Sequence, residues 1–132
     1  MSVERVNPAS RPRPRGFTHA VVAAGRQVYL AGQTGLGGDG SVVAGGLVAQ
    51  FEQALANLLG ALAAAGGRPD QLVSLTVYAV DLADYRRQAA EIGAVWRRLV
   101  GTEYPAIAGL GVSALWDDGA LVELQGVAVL PA

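Results

Sequence analysis

Apolar and polar positions follow two different periods along the chain, and these periods divide it into strands and helices. Two short apolar runs, residues 17–23 and 27–32, lie on either side of a glycine, a pattern that predicts a β-hairpin. Residues 33–46 contain six glycines and are predicted to form a loop. Over residues 47–65 the apolar positions recur every three or four residues, which predicts a helix that ends at two glycines. The apolar stripe of this helix consists of Leu47, Phe51, Leu55, Leu58, Leu59 and Leu62.

The second half of the chain again alternates strand and helix. Residues 71–80 are rich in β-branched side chains and are predicted to form a strand. A second helix is predicted from a cap at Asp81 or Asp84 to about Val100. The residues expected to face inward from this helix are Tyr85, Ala89, Ile92, Trp96 and Leu99.

Two more apolar runs, residues 106–115 and 120–130, complete the chain, and an Asp-Gly pair between them predicts a second hairpin. The predicted order is β-β-α-β-α-β-β in a single domain over residues 1–132. Two helices can cover only one face of a mixed sheet of this size, so the predicted fold class is α+β with both helices on one face. Residues 1–16 are predicted to form an extended N-terminal strap, because alternate prolines block both helix and central strand.

The composition predicts self-association. Hydrophobic residues make up 52% of the chain and charged residues only 16%, an unfavourable ratio for a small solvated monomer. We therefore expect the second face of the sheet to be shared between copies of the chain.

Composition also excludes several classes of chemistry. No cysteine is present, which excludes thiolate catalysis and disulfides. All ten basic residues are arginine, which excludes a Schiff-base lysine and is typical of a high-GC bacterial gene. A single histidine, His19, cannot form a His-rich zinc site, so we predict neither a metal nor another cofactor. Without a leader or a run of about 18 uncharged apolar residues, we expect a cytoplasmic protein with no membrane span.

The segment Arg11-Pro12-Arg13-Pro14-Arg15 has two interpretations. Arginine pairs readily with phosphate, so the segment could bind a nucleic acid. It could instead be a solvated terminus, which we favour because no basic or aromatic patch elsewhere extends it and the net charge is −1.

Three positions are candidates for chemistry. Glu123 lies in an apolar strand in which its neighbours point the other way; it is either a buried carboxyl that handles protons or an exposed residue of the polar face. His19 is the natural base near pH 7, although a lone histidine on a strand is more often structural. Gly32-Gln33, at the end of an apolar strand, could present backbone N–H groups to a ligand oxygen or simply form a turn.

A wider set of residues is distributed over nearly the whole chain: Asn7-Pro8, Gly16–Val21, Ala31-Gly32-Gln33, Gln50, Ala54, Asn57, Val77-Tyr78, Asp81-Leu82, Asp84-Tyr85, Tyr104-Pro105-Ala106, Val122-Glu123-Leu124 and Val127-Ala128-Val129. In order and spacing, these residues resemble the Rid (YjgF-type) family of reactive-intermediate or imine deaminases, historically called L-PSP endoribonucleases.

That resemblance implies a chorismate-mutase-like fold and a homotrimer whose sheets form a central barrel, with a small-molecule cleft between each pair of subunits. In the deaminase branch an arginine holds the substrate carboxylate, and backbone groups with a glutamate position the hydrolytic water. Imines or enamines of amino acids, such as 2-aminoacrylate, are converted to a 2-keto acid and ammonia. Glu123 matches the family glutamate and Gly32 the glycine at the cleft.

Several departures from the family make the predicted cleft less polar. The main one is Ile107, which stands where the carboxylate-binding arginine belongs. Loss of that arginine should cost about 2–5 kcal/mol of carboxylate binding. The other departures are Phe17 in place of a common tyrosine, Ala31 in place of a frequent serine, Ala89 where asparagine is frequent, and Gly109 near a frequent cysteine.

The leading hypothesis is therefore a Rid-type enzyme for a less anionic imine, enamine or related intermediate, inefficient toward 2-aminoacrylate. Glu123 and His19 would be catalytic, and the ligand would contact Phe17, Gly32, Gln33, Ile107 and Gly109. One alternative is a non-catalytic trimeric module that binds a metabolite or regulates. A ribonuclease is the least favoured hypothesis, since the chain lacks a histidine pair or a metal cluster.

Overall fold

The computed structural model describes residues 3–132, in which six strands and three helices form two sheets and one helical layer. The strands are β1 (Val3–Val6), β2 (Ala20–Ala23), β3 (Arg26–Gln33), β4 (Leu72–Ala79), β5 (Ala106–Gly111) and β6 (Val122–Leu130). The helices are α1 (Leu47–Ala64), α2 (Leu82–Arg87) and α3 (Ala89–Leu99), with a 3-10 turn at Pro69–Gln71.

The larger sheet is mixed and has the order β3-β6-β4-β5. The β3–β6 and β6–β4 pairs are antiparallel, and the β4–β5 pair is parallel. The predicted α+β class, with helices on one face of a mixed sheet, is confirmed.

Helix α1 forms the centre of the core, as its periodicity predicts. Leu55, Leu58 and Leu62 are fully buried, as are Val122 and Leu124 of the central strand β6. Length and composition alone would allow α1 to cross a membrane. Its apolar side nevertheless packs into this core, and a charged residue on the helix, Glu52, pairs with Arg98 of α3 at 2.8 Å, an arrangement typical of a core helix.

The first predicted hairpin is wrong. Strand β2 pairs with β1 in a separate two-stranded sheet, whereas β3 pairs with β6. At Gly25, φ is +147° and a side-chain Cβ would overlap the carbonyl oxygen of Leu130. This glycine therefore permits a close approach to β6 instead of forming a hairpin. Part of the predicted strap is β1; Met1 and Ser2 lie outside the described residues.

The second predicted hairpin is also wrong, although its turn exists. Strand β4 lies between β5 and β6, so the last two strands are not neighbours. Residues 112–121 connect them, and within that connection the Ala120 N–H donates to the Asp117 carbonyl at 3.1 Å. The Asp-Gly pair predicted a local turn correctly. The strand that follows it, β6, does not pair with β5; it lies between β3 and β4 inside the sheet.

The predicted second helix is divided into α2 and α3 at Gln88. Asp81 caps α2, since its carboxylate accepts a hydrogen bond from the Asp84 N–H at 3.0 Å. The Gln88 amide reaches back and donates to the Asp84 carboxylate at 3.1 Å. Ile92 and Trp96 are buried as predicted. Ala89, predicted to face inward, is exposed because it begins the new helix.

One buried side chain fixes the long connection to β6, and its removal should destabilise the fold. The Gln50 amide of α1 donates to the Gly119 carbonyl at 3.1 Å and accepts from the Leu121 N–H at 2.8 Å. Gln50→Leu would leave both backbone groups unpaired, so the free energy of unfolding should fall by about 2–4 kcal/mol. Urea denaturation measures this. Gln53→Leu, on a more exposed part of α1, is the control and should cost less than about 1 kcal/mol. Equal losses would contradict the role given to Gln50.

Candidate functional site

A groove of about 840 Å³ lies between helix α3, the β5 side of the large sheet and the N-terminal strap. Its apolar lining comes from all the surrounding elements and includes Phe51, Leu75, Val77, Tyr85, Ile92, Trp96 and Ile107. Its polar lining consists largely of charged residues on the strap and near the end of α3, among them Arg5, Arg13, Arg15, Arg97 and Glu103. The groove therefore has an apolar interior and a charged rim.

Three of the predicted site residues line this groove: Phe17, Ile107 and Gly109. The strap is attached to the beginning of β5 next to Phe17. The Thr18 hydroxyl donates to the Tyr104 carbonyl at 2.7 Å, and the Thr18 N–H donates to the Pro105 carbonyl at 3.0 Å. These two bonds place Phe17 beside the residues that follow Pro105. The structure thus groups an aromatic and a branched apolar side chain along one wall.

His19 lies beside this wall, outside the groove itself. It lines a second depression of about 320 Å³ together with Phe17 and Ile107. The imidazole packs edge-on against the Phe17 ring, with a centroid distance of 5.0 Å. Its Nδ1 lies 3.5 Å from Nη1 of Arg11, and it accepts in this contact because a guanidinium can only donate. His19 is thus close to Ile107 without entering the larger groove.

Glu123 and Gly32 form the second part of the predicted site. Glu123 is half-buried, while its neighbours Val122 and Leu124 are fully buried on the helix side of the sheet. A Cβ added to Gly32 would overlap Oε2 of Glu123, so the carboxylate occupies the space above the glycine. Glu123 is thus neither a fully buried nor a freely solvated carboxylate. The side chain of Gln33 donates to the Ala31 carbonyl at 3.3 Å.

Within one chain, these two parts of the site do not converge. Ile107 lies opposite Leu75 of β4, a core residue, so it belongs to the helix side of the sheet. Glu123 lies opposite Tyr78 of β4. The neighbours of Tyr78 on that strand, Val77 and Ala79, are buried on the helix side, so Tyr78 and Glu123 belong to the other face. Strands β5 and β6 are also two strand spacings apart, or about 10 Å. Among the groove residues of one chain, Glu123, Gly32 and Gln33 are absent.

Sequence reasoning identified Phe17 but missed other aromatic residues of the groove, among them Tyr85 and Trp96. Tyr85 was expected in the core, but it also lines the groove, where burial raises its pKa to about 12. Its hydroxyl is therefore a neutral hydrogen-bonding group at physiological pH. Trp96 stacks on Tyr104 with a centroid distance of 5.5 Å and an interplanar angle of 11°. The helical periodicity placed Tyr85 and Trp96 inward, yet it could not show that a groove opens beside them.

No group of three or more His, Asp or Glu side chains in residues 3–132 is arranged to hold a metal ion. The described site offers carboxylate, imidazole, hydroxyl and backbone groups.

Fold and sequence together define the class of protein. The family described as Endoribonuclease L-PSP matches residues 9–130, and the chain belongs to this family, which includes the Rid and YjgF proteins. A 2-iminobutanoate/2-iminopropanoate deaminase of Capra hircus is 31% identical over 94% of this chain and 88% of its own length.

Two solved structures show how the likeness extends to the fold. YyfB of Yersinia pestis, described as a Rid-family protein of unknown function, has a TM-score of 0.85 and 35% identity, covering 98% of this chain and all of YyfB (100%). RidA of an Antarctic Psychrobacter has a TM-score of 0.70 and 29% identity, covering 96% of this chain and 99% of its own. The chain therefore shares more of its backbone geometry with YyfB than with this RidA.

Proposed function

We propose that this protein is a Rid-type enzyme that hydrolyses an imine, enamine or related intermediate with less negative charge near the reacting carbon than 2-aminoacrylate has. The observation that carries this proposal is the Glu123 carboxylate seated over Gly32, combined with an apolar residue, Ile107, in the groove. By the family resemblance, Glu123 stands at the position of the glutamate that positions the hydrolytic water, and Ile107 stands at the position of the arginine that would pair with a substrate carboxylate. Relatives named as imine deaminases support the reaction type.

The proposed reaction is the addition of water to a carbon–nitrogen double bond. Glu123 accepts a proton as the water oxygen attacks the imine carbon and returns it to the nitrogen, which gives a neutral carbinolamine. Glu123 then takes the proton of the carbinolamine hydroxyl and delivers it to the nitrogen as the carbon–nitrogen bond breaks, which leaves a carbonyl compound and ammonia. The Glu123 carboxylate is half-buried and lies against Gly32, which has no side chain, so it can perform both transfers. Phe17 and Ile107 provide an apolar wall for the ligand, and His19, beside them, can assist proton transfer.

A cleft between two copies accounts for the separation of the two parts of the site. Because Glu123 and Ile107 lie on opposite faces of the sheet in one chain, a shared cleft brings them together only across an interface. The open sheet face also carries exposed apolar side chains, including Tyr29 at 74% and Leu110 at 44% exposure. Burial of such side chains favours self-association. These observations support the homotrimer that the family resemblance implies.

Gly32→Ala tests the proposed role of Glu123 without changing its charge. The added methyl group would displace the carboxylate, whereas the φ of Gly32 lies outside the left-handed region, so the backbone accepts alanine. We expect imine hydrolysis to fall by about 10- to 100-fold with a small change in melting temperature. The assay is ammonia release, above the spontaneous rate, from the neutral imine formed during enzymatic oxidation of benzylamine.

Gly60→Ala is the matched control, because the space around this exposed α1 residue is open and it lies outside the site. It should retain wild-type activity. Hydrolysis in Gly32→Ala equal to wild type would contradict the proposed position of the reacting groups. Ligand binding without turnover by any variant, wild type included, would instead support a non-catalytic binding module.

A further inference from the structure

The groove concentrates positive charge in a chain whose net charge is −1. Four of the ten arginines line it: Arg5, Arg13, Arg15 and Arg97. Arg5 is engaged, since it pairs with Glu103 at 3.5 Å and donates to the Tyr104 and Asp70 carbonyls. The other three make no ion pair and no side-chain hydrogen bond with any of residues 3–132. Three positive charges at the rim are therefore available to a ligand.

The backbone around these arginines favours their presentation at the groove. Arg13 and Arg15 alternate with Pro12 and Pro14, whose rings fix φ and keep the strap extended. On α3, a Cβ added to Gly93 would lie 3.3 Å from Nη1 of Arg97. The Arg97 guanidinium thus lies along the helix over Gly93, which also lines the groove. The strap and the helix bring arginines to the same rim.

Between these arginines, the groove is suited to a flat apolar group. Ile107, Tyr85 and Trp96 line it, and the ring of Trp96, which is largely buried, stacks on that of Tyr104. Buried aromatic side chains favour ligands with their own rings or branched apolar groups. An anionic group on such a ligand would be held away from Ile107, at the rim.

We propose that the groove binds a small molecule with a flat apolar body and a remote anionic group, carboxylate or phosphate, which Arg13, Arg15 and Arg97 hold. This inference rests on the proposed function only in taking the groove as the ligand site. It narrows the preferred ligand class: a negative charge is disfavoured beside Ile107 and strengthens binding when it lies several bonds away.

Trp96 provides a direct reporter of binding. Trp116 is 93% exposed, so Trp116→Phe leaves Trp96 as the sole tryptophan without disturbing the core. In this background the probes are 3-phenylpropionate, phenyl phosphate and the uncharged 3-phenylpropanamide, titrated at constant ionic strength. We expect the better of the two anions to bind at least about 10-fold more tightly than the amide. Which anion binds more tightly identifies the anionic group.

Variants then assign the effect to the rim. Arg97→Gln, and Arg13→Gln combined with Arg15→Gln, should each weaken binding of the preferred anion by about 10-fold and leave the amide unaffected. Arg86→Gln is the control for net charge, because this exposed α2 residue lies outside the groove. It should have no effect on either probe.

Three results would overturn the inference: equal affinity for amide and both anions, the same loss in Arg86→Gln as in the rim variants, or tighter binding of hexauridylate RNA than of either small anion. Because the titration requires no turnover, it separates this inference from the proposed function. Selective anion binding with no hydrolysis of any imine would refute the enzyme and retain the rim site. Hydrolysis of neutral imines without anion selectivity would refute the rim site and retain the enzyme.

Discussion

Glu123→Gln is expected to lower the rate of imine hydrolysis by about 10²- to 10⁴-fold, the usual contribution of a positioned acid–base group. Glutamine has nearly the same size as glutamate, so it can occupy the same half-buried position over Gly32. It cannot accept a proton from water and return it to the leaving nitrogen. Ligand affinity should therefore be nearly unchanged, and the loss should be confined to kcat. The imine formed from benzylamine serves as substrate.

The control for this experiment lies on the same strand. Gln125 occupies the same sheet face two residues further on, where its side chain accepts a hydrogen bond from the Tyr78 hydroxyl at 3.0 Å. Gln125→Ala removes that bond without altering Glu123 and should retain most of the activity. If Glu123→Gln hydrolysed every imine tested at the wild-type rate, the proposed chemistry would be wrong.

Ile107→Arg is expected to raise the affinity for 2-ketobutyrate, a stable small 2-keto acid, by about 10- to 100-fold. Ile107 lines the groove, so an arginine there would meet a carboxylate within an apolar surrounding that strengthens the charge-assisted pair. The wild-type side chain offers no partner, and a carboxylate brought beside it loses hydration without compensation. Isothermal titration calorimetry on both proteins measures the change.

Ile107→Met separates charge from shape at the same position. Methionine fills a similar volume and introduces no donor, so its affinity for 2-ketobutyrate should equal that of wild type. A gain in Ile107→Met as large as in Ile107→Arg would mean that space, not charge, limits binding of small keto acids. No gain in Ile107→Arg would show that position 107 does not contact the ligand carboxylate.

The elements of the fold could be predicted from sequence because their signals are local. Helix α1 follows from its apolar period and its terminal glycines, and α2 begins at the predicted cap Asp81. Strand pairing is not a local property. The Asp-Gly turn forms as predicted, but β5 joins β4 in parallel and β6 enters between β3 and β4. The pairing partners of β5 and β6 depend on which strands can be buried on both faces and both edges of the assembled sheet. A short sequence pattern contains no information on this.

The candidate site could be predicted only in part. Alternation along β6 placed Glu123 opposite to the core residues, and the structure has it there, but its contact with Gly32 depends on the pairing of β6 with β3. The groove itself was not foreseen, because it arises where the strap meets α3 and β5. No sequence signal showed that Arg97 lines the groove, since an arginine in the last turn of a helix is usually solvated.

The most direct test of the role of position 107 is the release of ammonia and keto acid from enzymatically generated 2-aminoacrylate, measured for wild type and Ile107→Arg in parallel. We expect that wild type does not exceed the spontaneous rate and that Ile107→Arg does. Efficient hydrolysis by wild type would contradict this role, because the carboxylate would then be bound without an arginine at position 107.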